Sequence, residues 1–190
     1  MAVLVQPAFL PLLPLSVDHS AGHYRARVLH VRISSFSTRD LDAARQFLNH
    51  NLQLTYSAGF LLQFITSRDS KLLIARDSDS GVIIGVVAGK LARSIADHRI
   101  CHGHVMVLAV GEQYRRSGIG RILLQKLETT MRTSVTSGIK TSFLQVAHTN
   151  YGAIKFYEHQ GYIIERRDKG YYQGKADALV MRKQSTPATR

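Results

Sequence analysis

The run Arg115-Arg116-Ser117-Gly118-Ile119-Gly120 constrains this chain more than any other feature, because of what stands on either side of it. Before it, His102 to Val110 reads as an apolar strand. After it, Ile119, Ile122, Leu123, Leu127 and Met131 recur at three- and four-residue steps, so Ser117 to about Ser134 reads as an amphipathic helix. A strand that turns through glycines into a helix presents unpaired N–H groups, and about half a positive charge, with no Cβ in the way. Such a turn can cradle an anion, and Arg115, Arg116 and Arg121 add charge at its rim. An ordinary helix cap with solvated arginines is the plainer alternative. No Gly-Lys-Ser/Thr follows, which excludes a Walker loop, and Leu123 stands where a dinucleotide fingerprint needs its third glycine.

The remaining chain supplies a mixed set of elements. Leu29, Val31 and Ile33 alternate with polar residues, as in a half-buried strand. Ser37 or Thr38 can cap a helix running to about Asn49, and a second helix is expected from Tyr56 to Ile65. Lys71 to Arg76 and Val82 to Leu91 read as paired strands about the turn Asp77 to Gly81, the second apolar on both faces and therefore central. Thr141 to Ala147 is β-rich. Asn150 to Gln160 is a short helix stopped by Gly161, and Tyr162 to Arg166 and Ala176 to Arg182 close the chain as strands. One strand, two helices, three strands, a helix, a strand, a helix and two strands make an α+β domain rather than a regular βαβ winding. It is expected over 27–183, with a flexible extension over 1–26 and a polar tail over 184–190.

Charge and cysteine usage narrow the setting. Lys and Arg outnumber Asp and Glu by 25 to 13, which points to a polyanionic partner: a phosphate-rich cofactor, a ribosome or free nucleic acid. The basic residues form no run, which weighs against sequence-specific nucleic-acid binding. The single Cys101 excludes an internal disulfide framework, reads as a small packed thiol, and makes a reducing, cytoplasmic location the expectation. Mitochondrial targeting is the minor alternative, because Asp18 is the only acid between Met1 and Thr38, against Arg25, Arg27 and Arg32. No stretch reaches the roughly 18 apolar residues of a membrane span.

Arg115-x-x-Gly118-x-Gly120 resembles the pyrophosphate motif of the GNAT superfamily of N-acetyltransferases, Gln/Arg-x-x-Gly-x-Gly/Ala. Asn150, Ala153, Tyr157, Gly161 and Tyr162 resemble its downstream signature, and the resemblance covers Val28 to Lys183. Within the superfamily, Gly103-His104-Val105, Leu108-Ala109-Val110 and Tyr114 to Gly120 are similar to the central strand and loop of protein N-terminal acetyltransferase catalytic subunits. Gly170-Tyr171-Tyr172 with Ala176-Asp177-Ala178 resembles their tyrosine hairpin. The resemblance implies a mostly antiparallel central sheet with flanking helices, and acetyl transfer from acetyl-CoA to a peptide N-terminus. It implies that Leu108, Ala109 and Val110 hold the pantetheine arm, that Arg115, Arg116, Ser117, Gly118, Ile119, Gly120 and Arg121 hold the pyrophosphate, and that Asn150 and Tyr157 contact the cofactor. Tyr157 would also protonate the leaving thiolate, while Tyr56, Tyr171 and Tyr172 line the peptide groove. An auxiliary subunit and the ribosome are the implied partners. Where one branch carries a tyrosine and a histidine that jointly order a water, this chain carries His104 and Gln145; its Leu52-Gln53-Leu54-Thr55-Tyr56 departs from that branch's Phe-Pro-Val-x-Tyr and leaves substrate choice open.

The chemistry asked of such a site is modest. An α-amine has a pKa of about 7.7–8.0 and a lysine about 10.4, so neutralising them near pH 7.4 costs roughly 0.5 and 4 kcal/mol. A weak or water-mediated base therefore suffices for N-termini. His104 is the candidate, since histidine titrates near neutrality, with a groove-lining role as the alternative; His148 is a second candidate, and Tyr157 has a core-aromatic alternative. His98, Cys101, His102 and His104 have metal-ligating side chains, but Cys101 alternates to the strand face opposite His102 and His104, so no metal is expected. Transfer to lysine or a small amine, and a catalytically inactive acetyl-CoA-binding or ribosome-docking subunit, are the competing functions.

Overall fold

The computed structural model describes residues 29–52, 55–94, 100–135 and 139–185. The expected extension over 1–26, most of the tail, and Gln53, Leu54 and His98 lie outside them. The elements run β1 (Val31–Ser35), α1 (Leu41–Asn51), α2 (Ala58–Thr66), β2 (Ser70–Asp77), β3 (Ile83–Arg93), β4 (Cys101–Val110), α3 (Ile119–Thr133), β5 (Thr141–Ala147), α4 (Tyr151–His159), β6 (Ile163–Asp168) and β7 (Ala178–Gln184). This is the order expected from periodicity. Tyr56, expected within the second helix, precedes it, because the Ser57 side chain accepts from Phe60 N–H and caps α2 one residue later.

The strands form one sheet in the order β1-β2-β3-β4-β5-β7-β6. Every pairing is antiparallel except β4 with β5, which α3 joins as the crossover that a parallel pair requires. β3 is central and buried along nearly its whole length. Leu123, Leu124, Leu127 and Met131 of α3 pack with Val87, Val105 and Leu144 on one face of the sheet, joined by Ile154 and Tyr157 of α4. Leu48 of α1 and Leu61 and Phe64 of α2 pack with Ile74, Val86 and Met106 on the other. Each such buried leucine contributes about 1.5–3 kcal/mol relative to exposure. Cys101 belongs to the α3 layer and is 1 % exposed, a packed thiol as expected.

Two local irregularities shape the middle of the sheet. The β3–β4 register passes from Ala88↔Val107 to Gly89↔Val105, so Met106 is the extra residue of a β-bulge. Gly89 permits this, because a Cβ there would lie 2.7 Å from the His104 carbonyl oxygen. Among the described residues no helix is long and apolar enough to cross a membrane.

Candidate active site

The site begins where the sheet opens. β4 and β5 pair only at His102↔Thr141, Gly103↔Ser142 and His104↔Phe143. Past that rung the strands run on, β4 to Val110 and β5 to Ala147, with no further pairing between them. The edge of β4 that carries Leu108, Ala109 and Val110 therefore offers backbone groups to something other than a strand.

At the end of β4 the chain passes through a short helical turn, Glu112–Tyr114, into the arginine-rich run. Arg115 Nε donates to the Val110 carbonyl at 3.2 Å, and the Ser117 hydroxyl donates to the Tyr114 carbonyl. Arg116 is left-handed, with φ 65°, an uncommon backbone state for a side chain of that size. Gly118, the residue before α3, has φ 87°, and a Cβ on it would meet nothing within 4 Å. Among the described residues no side chain caps α3, and no acid stands in its first turn. Its leading N–H groups thus face an open, positively edged space, which suits a diphosphate. A Cβ on Gly120 would touch both Val110 and Phe156 at 3.6 Å, so the ends of β4, α3 and α4 converge here.

α4 contributes Asn150 and Tyr157. The Asn150 side chain accepts from Ala153 N–H at 3.1 Å and so caps the helix, a role the spacing of the motif did not reveal. Tyr157 is 1 % exposed and packs edge-on against Phe156 and Tyr162. Burial raises its pKa, so the phenol keeps its proton throughout the neutral range.

The loop between β6 and β7 carries Tyr171 and Tyr172, and the segment before α2 carries Tyr56. Tyr172 is buried against Ala147 and Ala178, at the ends of β5 and β7. Burial raises its pKa first, and Tyr171, Tyr157 and Tyr56 add to the shift, which places these hydroxyls within electrostatic reach of one another. Tyr56 is held by its own N–H, which donates to Asn49 Oδ1 at 2.7 Å. Asp177 fastens the loop: Oδ1 accepts from Gly170 N–H at 2.8 Å and Oδ2 from Arg167 Nε at 2.6 Å. His148 Nδ1 lies 3.2 Å from the carbonyl of Asp177, the residue that fastens the loop.

His104 and Gln145 meet across the opening, with the ring's Nε2–H donating to Gln145 Oε1 at 2.8 Å. The expectation that His104 titrates near neutrality does not hold. Burial pulls its pKa down to about 4, the Gln145 hydrogen bond opposes this, and the Lys90 charge adds to it. The ring is neutral at pH 7, with Nδ1 as its acceptor. Cys101 faces α3 while His104 faces the other side of the sheet, so these two do not converge. Asn49, Phe143 and Arg182 escaped sequence reasoning. Phe143 alone carried a signal, standing two residues before Gln145 and so on the same face of β5.

Comparison with known proteins bears on this geometry directly. The model of the acetyltransferase (GNAT) family matches residues 38–162. The chain is 30 % identical over 154 residues to the N-terminal acetyltransferase B complex catalytic subunit NAA20 of Arabidopsis thaliana, covering 80 % of this chain and 83 % of that one. It is 33 % identical over 141 residues to N-alpha-acetyltransferase 20 of Dictyostelium discoideum, covering 73 % and 78 %. The crystal structure of Chaetomium thermophilum Naa20 in complex with a bisubstrate analogue superposes with a TM-score of 0.69 at 30 % identity, over 80 % of this chain and 86 % of that one. With an opened β4–β5 pair, an uncapped glycine-led α3 and a family match across both, the chain belongs to the acetyltransferase (GNAT) family.

Proposed function

We propose that this chain transfers the acetyl group of acetyl-CoA to the α-amino group of protein N-termini. The observation that carries the reading is the opening of β4 and β5 past His104, set beside the arginine-rich, uncapped start of α3. The open Gly118 fits a diphosphate, which Arg115, Arg116 and Arg121 and the first N–H groups of α3 would hold. The exposed edge at Leu108 to Val110 would bind the pantetheine amides. Acetyl-CoA bound there would supply an activated thioester.

The residues of this chain do the rest. Backbone N–H groups on the β4 edge would stabilise the oxyanion as the amine nitrogen bonds to the acetyl carbon. The amine's proton passes to water or to the His104 Nδ1 side. Because the His104 ring is a weak base, the substrate must arrive largely neutral, which α-amines do at little cost and lysines do not. As the C–S bond breaks, the protonated Tyr157 hydroxyl would donate to the sulfur and regain a proton from the water that received the amine's, leaving the free thiol and the acetylated amine. Tyr56, Tyr171 and Tyr172 would line the peptide groove.

The names of the relatives support the choice of N-termini over lysine, and one of them is named as a catalytic subunit of a complex. An auxiliary subunit would find an apolar face on α2, where Leu62 and Ile65 are 37 % and 39 % exposed. We take 27–183 as the catalytic unit, a reducing compartment such as the cytoplasm as its setting, and ribosome contact as a consequence of its positive charge. A peptide array with free and blocked N-termini tests the function. Transfer to free N-termini supports it, while transfer to internal lysines alone overturns it.

A further inference from the structure

One rung of the sheet carries, beside His104, side chains that the acetylation chemistry leaves unused. Lys90 of β3 pairs with His104 of β4, His104 with Phe143 of β5, and Phe143 with Arg182 of β7. It is the last rung before β4 and β5 separate. All four side chains stand on the sheet face opposite α3, since a Cβ on the intervening Gly103 would meet Met131 of that helix.

The contacts along the rung run in one direction. Glu165 of β6 grips Arg182 with both oxygens, accepting from Nε at 2.8 Å and Nη2 at 3.0 Å. Arg182 Nη1 donates to Thr141 Oγ1 at 3.0 Å, and the same hydroxyl hydrogen-bonds His102 Nδ1 at 2.7 Å. A guanidinium held by three bonds has little freedom left. It lies 5.5 Å from the Phe143 ring centroid. Phe143 in turn stacks on His104, centroids 4.5 Å apart and planes 5° from parallel. The far end of the imidazole is fixed by Gln145.

We propose that Arg182 and Phe143 are positioning residues for acetyl transfer, clamping the His104 ring in one orientation at the mouth of the β4–β5 opening, with Nε2–H committed to Gln145 and Nδ1 presented as an acceptor. The clamp rests on the reading that His104 works in the acetylation site. It acts through packing, and it also keeps water off the ring. The charged and titratable groups facing His104 are Lys90 from β3, His102 from β4, Arg182 from β7 and, behind Arg182, Glu165 from β6. With the clamp loosened the ring gains rotational freedom and solvent, and a misplacement of about 1 Å at a reacting group can cost on the order of 100-fold in rate.

The test uses the full chain, acetyl-CoA and a peptide acceptor, with steady-state kinetics over pH and NMR titration of the His104 ring. Phe143→Leu and Arg182→Met are expected to lower kcat about tenfold, with the KM for acetyl-CoA unchanged. Both should also raise the pKa at which His104 titrates, carrying the acid limb of kcat upward with it. Phe143→Tyr, which keeps the stacked ring, should restore both. If His104→Ala loses turnover while Phe143→Leu and Arg182→Met keep the wild-type kcat and the wild-type His104 titration, the clamp is wrong and the acetylation reading stands. If His104→Ala turns over normally, the role of His104 falls and the clamp falls with it. Should Phe143→Leu fail to fold, Arg182→Met with the NMR titration decides alone.

Discussion

The hydroxyl of Tyr162 donates to Glu128 Oε1 at 2.7 Å, and Lys183 Nζ reaches the other oxygen of the same carboxylate at 2.8 Å. One side chain of α3 thereby ties the start of β6 to the end of β7. Glu128 is 16 % exposed and Lys183 25 %, and the Lys183 ammonium also lies over the Tyr162 ring. Removing the carboxylate leaves a largely buried phenol and a half-buried cation without their acceptor. Glu128→Ala should cost about 2–4 kcal/mol and Tyr162→Phe about 1 kcal/mol, both read as shifts in the urea midpoint. Equal small effects from the two would mean that Glu128 is only a solvated surface acid.

The cradle at the start of α3 makes a sharper demand. Gly118 holds φ 87° with open space where a Cβ would stand. Gly118→Ala should therefore cost about 1 kcal/mol of backbone strain and weaken coenzyme A severalfold. Gly118→Glu adds a negative charge in front of the helix's positive end and should abolish binding by isothermal titration calorimetry. Retained affinity in the glutamate variant would move the diphosphate away from this turn.

Much of this architecture is legible in the amino-acid sequence. The three- and four-residue steps from Ile119 to Met131 specify α3, and Gly161 ends α4, because these signals are local. What sequence could not supply depends on register and burial. Phe143 and Arg182 meet because β7 is inserted between β5 and β6, a pairing no local pattern states. The ordinary titration expected of His104 failed for a similar reason, since burial against Phe143 and beside Lys90 comes only with the folded sheet. Asn150 lay within a recognisable motif, yet its capping of α4 emerged from geometry.

The Asp177 carboxylate should matter for peptide binding more than for stability. It holds Gly170 N–H and Arg167 and so closes the loop that presents Tyr171 and Tyr172. Asp177→Ala should raise the KM for the peptide about tenfold through loss of this preorganisation, and leave the KM for acetyl-CoA unchanged. A matching rise in both constants would show that the loop acts on the whole site rather than on the peptide groove.

Stability should also depend on pH through His104. The native ring titrates near 4, whereas in the unfolded chain it titrates near 6.5. Between those values the unfolded chain binds a proton that the native protein refuses, so stability is full above about pH 7 and falls as the pH drops. Between pH 7 and pH 5 the loss from this ring is about 2 kcal/mol. His102, whose pKa burial also lowers, adds a further loss of the same sign. His104→Asn removes the titration at one site and leaves the other. Denaturant unfolding of both proteins across that range should show a slope shallower in the variant by the His104 share. Parallel slopes would mean that the native ring takes up its proton as readily as the unfolded one, and the neutral, clamped imidazole would have to be abandoned.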